Sequence, residues 1–65
     1  MTKLDSIERK RTYTFTGGDI IEFKNVSHIK VSASGCHRLQ TGDGLKHIVN
    51  TGWISITLEV DEWTI

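Results

Sequence analysis

Proline is absent from these 65 residues, cysteine occurs once, and eight acidic side chains cancel eight Lys and Arg. The missing proline argues against a loop-rich or disordered chain. One cysteine rules out an internal disulfide. A structural metal would have to draw on His28, Cys36, His37 and His47, and their spacing matches no zinc-finger pattern. No metal and no cofactor is therefore expected. No apolar run is long enough for a signal peptide or a membrane helix, so the simplest setting is the cytoplasm, of a cell or of the host of a virus or mobile element. Zero net charge weighs against a nucleic-acid binder, since such proteins are usually basic. The length suits one domain spanning 1–65 with a modest core, and a second copy, as in a homodimer, is one way to complete it.

What is present is alternation. Ile54, Ile56, Leu58 and Val60 share one parity, while Trp53, Ser55, Thr57, Glu59 and Asp61 share the other. Side chains of a strand point alternately to opposite faces, so this is a half-buried β-strand. Upstream, Gly17-Gly18, Gly35, Gly42, Gly44 and Gly52 cut the chain into pieces of strand length. Strands are expected near 11–16, 20–25, 28–33, 37–41, 45–50 and 53–60. The fold class is a small antiparallel meander of five or six strands, a curled sheet or an SH3/OB-like barrel. Residues 12–60 form the sheet, 1–11 an arm or short helix, and 61–65 a tail. Thr2 with Asp5 fits a capping box, and Leu4 and Ile7 share a helical face.

Parity also sets the turns. A three-residue Gly17-Gly18-Asp19 loop places Phe15 opposite Ile21 and Tyr13 opposite Phe23, which keeps the large apolar groups together. The same test at Ser34-Gly35-Cys36 sets Val31 against Leu39; Gly42-Asp43-Gly44 sets Thr41 against Leu45 and keeps Leu39 on the core face, whereas a two-residue Asp43-Gly44 loop would pair Leu39 with Ile48. A two-residue Thr51-Gly52 loop pairs Val49 with Ile54. The inner face then carries Tyr13, Phe15, Ile21, Phe23, Ile29, Val31, Ala33, Leu39, Leu45, Val49, Ile54, Ile56, Leu58 and Val60.

The outer face is the more suggestive one. Ser32, Arg38, Ile48 and Ser55 form a row bordered by Lys30, Gln40, Lys46 and Trp53. A tryptophan and an isoleucine among cations resemble the make-up of a binding surface, although small proteins always expose a few apolar residues. Charge is unevenly spread: residues 1–11 hold four bases against two acids, and residues 53–65 hold Glu59, Asp61 and Glu62 with no base. Trp63 lies in that acidic stretch, which could dock on a basic groove or mimic nucleic acid.

Catalytic chemistry is poorly supplied. His37 and His47 share the inner parity of adjacent strands, but no carboxylate or nucleophile joins them in these registers. Cys36 and His37 are neighbours in sequence and so point apart along a strand. Asp19 and Asp43 are explained by turn chemistry. Neither glycine-rich turn has the features of a phosphate loop. The expected function is a non-catalytic protein-binding module, an accessory protein or inhibitor of phage or mobile-element type acting on a larger host protein. Trp53, Ile48, Arg38, Lys30, Lys46, Trp63, Asp61 and Glu62 are its contact residues. The alternative is a small barrel that binds single-stranded nucleic acid or a nucleotide, stacking bases on Tyr13 or Trp53 and holding phosphates with Lys30, Arg38 and Lys46.

Overall fold

A computed structural model describes residues 2–62. Five strands, β1 (Thr2–Phe15), β2 (Ile20–Val31), β3 (His37–Thr41), β4 (Lys46–Val49) and β5 (Trp53–Glu59), make one antiparallel sheet. Their order across it is β4-β3-β2-β1-β5. No helix long and apolar enough to cross a membrane occurs among the described residues. Trp63 and the rest of the acidic tail's end lie outside them.

The N-terminal segment is not helical. Thr2 pairs with Ile29, Lys3 with His28 and Glu8 with Val26, so the first strand runs the full fourteen residues. Ten residues make a marginal helix whose end groups stay unpaired. Laid along β2 the same backbone gains a ladder, and Leu4 becomes buried. The strands expected at 20–25 and 28–33 are likewise one strand. The chain passes through Asn25 at φ 57 rather than turning there, a conformation asparagine tolerates better than most residues. The register with β3 slips between Val26 and His28. As a result Phe23, Val26 and Ile29, three residues apart, all pack into one core.

Three hairpins use three-residue loops. Phe15 N–H donates to the Asp19 carbonyl, Ser32 N–H to Cys36 and Thr41 N–H to Leu45. The third matches the expected register. The first two close one residue earlier than expected, so Tyr13 faces Ile21 and Ile29 faces Leu39. That shift moves each pairing by two and leaves every side chain on its expected face. Gly44 shows why the loop at 42–44 is specific. It sits at φ 85, the left-handed position that ends such a loop, while Asp43 Oδ1 accepts the Leu45 N–H at 3.0 Å.

The fifth strand departs most from expectation. It lies beside β1, at the sheet's far side from β4, so the Thr51-Gly52 hairpin with Val49 opposite Ile54 does not form. Phe15 pairs with Trp53 but Thr14 pairs with Ser55, which makes Ile54 an extra, bulged residue. Parity flips at that point. Trp53 turns inward against the core while Ile54 is 68% exposed; Ile56 and Leu58 keep their expected side, opposite Tyr13 and Arg11. The buried core is Leu4, Tyr13, Val26, Ile29, Leu39 and Val49, with Phe15, Phe23, Trp53 and Ile56 packed on it. Ile21, Val31 and Leu45, expected inside, stay exposed because they flank the hairpin turns.

Candidate functional site

Three strands build the surface that carries most of the expected contact residues. Lys30 on β2 stands opposite Arg38 on β3, and Arg38 opposite Ile48 on β4. The neighbouring row runs His28, Gln40 and Lys46. Alternation in three aligned strands thus places Lys30, Arg38, Lys46 and Ile48 on one face. They border a shallow depression of about 430 Å³ together with Leu39 and His47. Ile48 is 67% exposed.

The cations of this face have no acidic partners among the described residues. The ion pairs there are Arg9 with Asp61, Lys10 with Glu22 and Arg11 with Glu8. Lys30, Arg38 and Lys46 take part in none of them. Like charges placed directly across two strands repel, so the Lys30–Arg38 pair weakens the sheet it belongs to. An anionic group seated between them would remove that repulsion.

The remaining expected residues are elsewhere. Trp53 is on the inner face, its ring 6.0 Å from Tyr13 and 5.1 Å from His37, so it cannot border Arg38 and Ile48. Its Nε1–H is buried with no acceptor among the described residues. Asp61 and Glu62 are exposed just past the end of β5, and Asp61 accepts from Arg9 Nη1 at 2.7 Å. Asp61 and Glu62 thus follow the strand at the other end of the sheet order from β4.

A second constellation was not foreseen. On the inner face, Arg11 Nη1 donates to both carboxylate oxygens of Glu8, at 3.0 and 2.8 Å, and Arg11 Nε donates to the Tyr13 hydroxyl at 2.9 Å. Tyr13 Oη lies 2.8 Å from His37 Nδ1. Arginine only donates. The tyrosine oxygen therefore accepts from Arg11, which leaves its own proton to be donated to His37 in the tautomer that carries its hydrogen on Nε2. Glu8, Arg11 and Tyr13 are 0, 1 and 0% exposed. Burial, reinforced by the positive Arg11, holds His37 below its ordinary 6.5. Burial raises Tyr13 above its ordinary 10.0, against the opposing hydrogen bond and charge of Arg11. At this degree of burial no solute reaches Arg11 or Tyr13, so the chain of groups acts on the fold. A buried Tyr13 also cannot stack on a base.

One signal for this chain was present in the sequence: Arg11 shares odd parity with Tyr13 and Phe15. Glu8 was hidden because the positive φ at Asn25 breaks the alternation, so that Val26 and its partner Glu8, both even-numbered, come to the inner side. The two histidines are separated as well. The His47 ring lies tilted against Phe23 at 4.8 Å, with its Nε2 3.2 Å from Thr41 Oγ1, whereas His37 turns to Tyr13. Cys36 points to Asn50, away from His37. Among the described residues, no three of His, Cys, Asp and Glu gather closely enough to hold a metal ion.

No family model, no curated protein and no solved structure matches this chain.

Proposed function

We propose that this chain is a non-catalytic binding module that seats an acidic surface of a larger protein on the outer face of β2, β3 and β4. The observation that carries this reading is the trio Lys30, Arg38 and Lys46, without ion pairs among the described residues and on the same face as an exposed Ile48. An exposed apolar side chain flanked by Arg38 and Lys46 on one face suits a partner that offers an apolar anchor beside carboxylates. Inhibition by occlusion of a host protein in the cytoplasm is the kind of task that a small domain with one such face can perform.

The scaffold reading goes with it: the sheet curls toward an SH3/OB-like barrel. Support comes from reach. Four strand spacings amount to about 19 Å, yet β4 and β5 are joined by residues 50–52 alone, a span of at most ~14 Å. Trp53 of β5 also meets His37 of β3, and the molecule measures 31 × 24 × 21 Å, thicker than a single flat layer. Curling of this kind makes the outer face of β2–β4 convex, which fits insertion into a partner's groove.

Affinity capture from host lysate tests the reading, with the wild type compared against the triple variant K30E/R38E/K46E. A specific protein retained by the wild type and lost by the variant supports it. Equal capture by both overturns it. The nucleic-acid alternative loses its stacking residues, since Tyr13 is buried and Trp53 faces inward. What remains is three phosphate contacts, which would give a salt slope of about −2 for single strands. Labelled oligonucleotides at low salt measure that slope directly.

A further inference from the structure

The sheet ends at β4 on one side and at β5 on the other. No Cα of β5 comes within 8 Å of a Cα in β2, β3 or β4, so among the described residues β1 is its one strand neighbour. An open edge presents unpaired N–H and C=O groups and is a template for another strand. Proteins blunt such edges by keeping the strand short or by placing lysine or proline on it. β4 is protected in two of these ways, being four residues long and carrying Lys46. β5 has none of these protections. It runs seven residues, Trp53–Glu59, with no base and no proline. The bulge at Ile54 distorts only its start, and Ser55 to Glu59 pair regularly with Thr14 to Lys10.

We infer that two copies of this chain pair through β5, about a two-fold axis normal to the sheet. Such an axis reverses strand direction, so the two β5 strands run antiparallel. It also keeps the inner side of one copy level with the inner side of the other. Residues that face each other across the junction must then share parity. Centring the axis on Thr57 pairs the whole regular run with itself. Thr57 faces Thr57 of the second copy, Ile56 faces Leu58, and Ser55 faces Glu59. An axis at Ile56 would bring Leu58 onto the bulged Ile54. An axis at Leu58 would set Ile56 against Val60, past the end of the strand.

Side chains and charge both favour a second copy in this place. Ile56 and Leu58 are half-buried, with Tyr13 and Arg11 beside them on β1. In the pair each gains an apolar neighbour on its open flank. The outer row through the axis is made of Thr12 and Thr57 from each copy, and threonine pairs across strands are favourable. Joining the same edges in parallel would set Glu59, Asp61 and Glu62 beside their own like. The antiparallel pair sends the two acidic ends to opposite ends of the junction, where Glu59 meets the uncharged Ser55. The regular ladder, Ser55 to Glu59 on each side, is small beside the ~800 Å² per partner of a standard complex. The dimer therefore forms and dissociates with concentration. Lys30, Arg38 and Lys46 lie on β2, β3 and β4, away from the junction, so the dimer would offer the proposed contact face twice. The pairing itself does not depend on that function.

Sedimentation velocity over a concentration series tests the inference on the wild type, T57K, T57E and an equimolar mixture of the two variants. The wild type should pass from monomer to dimer mass and stop there. Each substitution sets two like charges face to face at the axis and should weaken association roughly fivefold or more. In the mixture the new ammonium group of T57K meets the new carboxylate of T57E, and association should exceed that of either variant alone. A wild type that stays monomeric at every concentration overturns the inference. So does growth beyond the dimer, association indifferent to both substitutions, or a mixture as weak as its components. Thr57 is exposed, so the fold should hold, as far-UV circular dichroism checks. Where a charge at this position unfolds the chain, the double variant C36S/T57C reads the same contact. Facing Cα atoms of an antiparallel pair lie within disulfide reach, so mild oxidation should link it into a covalent dimer. Failure to link overturns the inference as well.

Discussion

Arg11 and Arg38 are the same side chain placed on opposite faces of one sheet. Arg11 is 1% exposed, and three hydrogen bonds tie it to Glu8 and Tyr13. Arg38 is exposed, has no ion pair among the described residues, and stands opposite Lys30. The difference follows from the medium. A guanidinium removed from water must be matched bond for bond, or the domain does not form. One left in water needs no match, and what it lacks within the chain it can find in a partner. Substitutions on the inner chain should therefore alter folding, and substitutions on the outer trio should alter binding.

The largest effect is expected at Arg11. Arg11→Met leaves the Glu8 carboxylate buried beside an apolar group, a change that costs about 3–5 kcal/mol when a buried pair is broken on one side. A single core of this size supplies only about 3–5 kcal/mol in total, so the variant should be largely unfolded at 25 °C by urea titration. The double variant E8L/R11M removes both charges and should be distinctly more stable than R11M alone. A stable R11M would show that the Glu8 carboxylate is satisfied without Arg11, and the contrast between the two faces would fail. Tyr13→Phe should rank next. It strips a partner from both Arg11 Nε and His37 Nδ1, and an unmet buried polar group costs about 1–3 kcal/mol.

The inner chain also predicts two pH limbs. His37 titrates below 6.5 in the native state, so as the solution is acidified the unfolded chain takes up this proton first. Stability should fall from about pH 6.5 downward until the native value is passed. Tyr13 is shifted the other way, above 10.0. The unfolded chain loses that proton first, and stability should fall as the pH rises above 10. Urea midpoints against pH show both limbs. His37→Gln should flatten the acid limb and Tyr13→Phe the alkaline one, while R38Q should leave both in place. An R38Q variant that altered either limb would mean the two faces are coupled.

Odd-even alternation reads this fold well wherever the backbone stays regular. Tyr13, Phe15, Phe23, Ile29, Leu39 and Val49 were legible as core residues, and Lys30, Arg38, Lys46 and Ile48 as one outer group. The register at Thr41–Leu45 followed from keeping Leu39 on the core face, against a competing two-residue Asp43-Gly44 turn that would have paired Leu39 with Ile48. Three places defeat the arithmetic, and each has a local cause. Residues 2–11 carry helix signals that are real but weak, and pairing with β2 overrides them. Asn25 adopts positive φ without being glycine, so a continuous strand looked like two, and Glu8 went unseen. The bulge at Ile54 turns Trp53 inward. Nothing in the local composition marks that bulge, because it arises where β5 meets β1, a strand about forty residues away. Strand neighbours distant in sequence are the part of a β-fold that alternation does not encode.

The smallest effect on folding, and the sharpest separation of the two faces, is expected at Lys30. Lys30→Glu turns a like-charged cross-strand pair with Arg38 into an opposite one. Such pairs change stability by about 0.2–1 kcal/mol, so the variant should be slightly more stable than the wild type, with a urea midpoint at or above it. The same substitution reverses one of three charges on the proposed contact face and should weaken partner capture markedly, in a way that raised salt reproduces for the wild type. A side chain whose reversal improves the fold and impairs the interaction serves something outside its own chain. Loss of stability in K30E would instead place Lys30 among the residues that hold the sheet together, and the outer face would no longer differ in kind from the inner one.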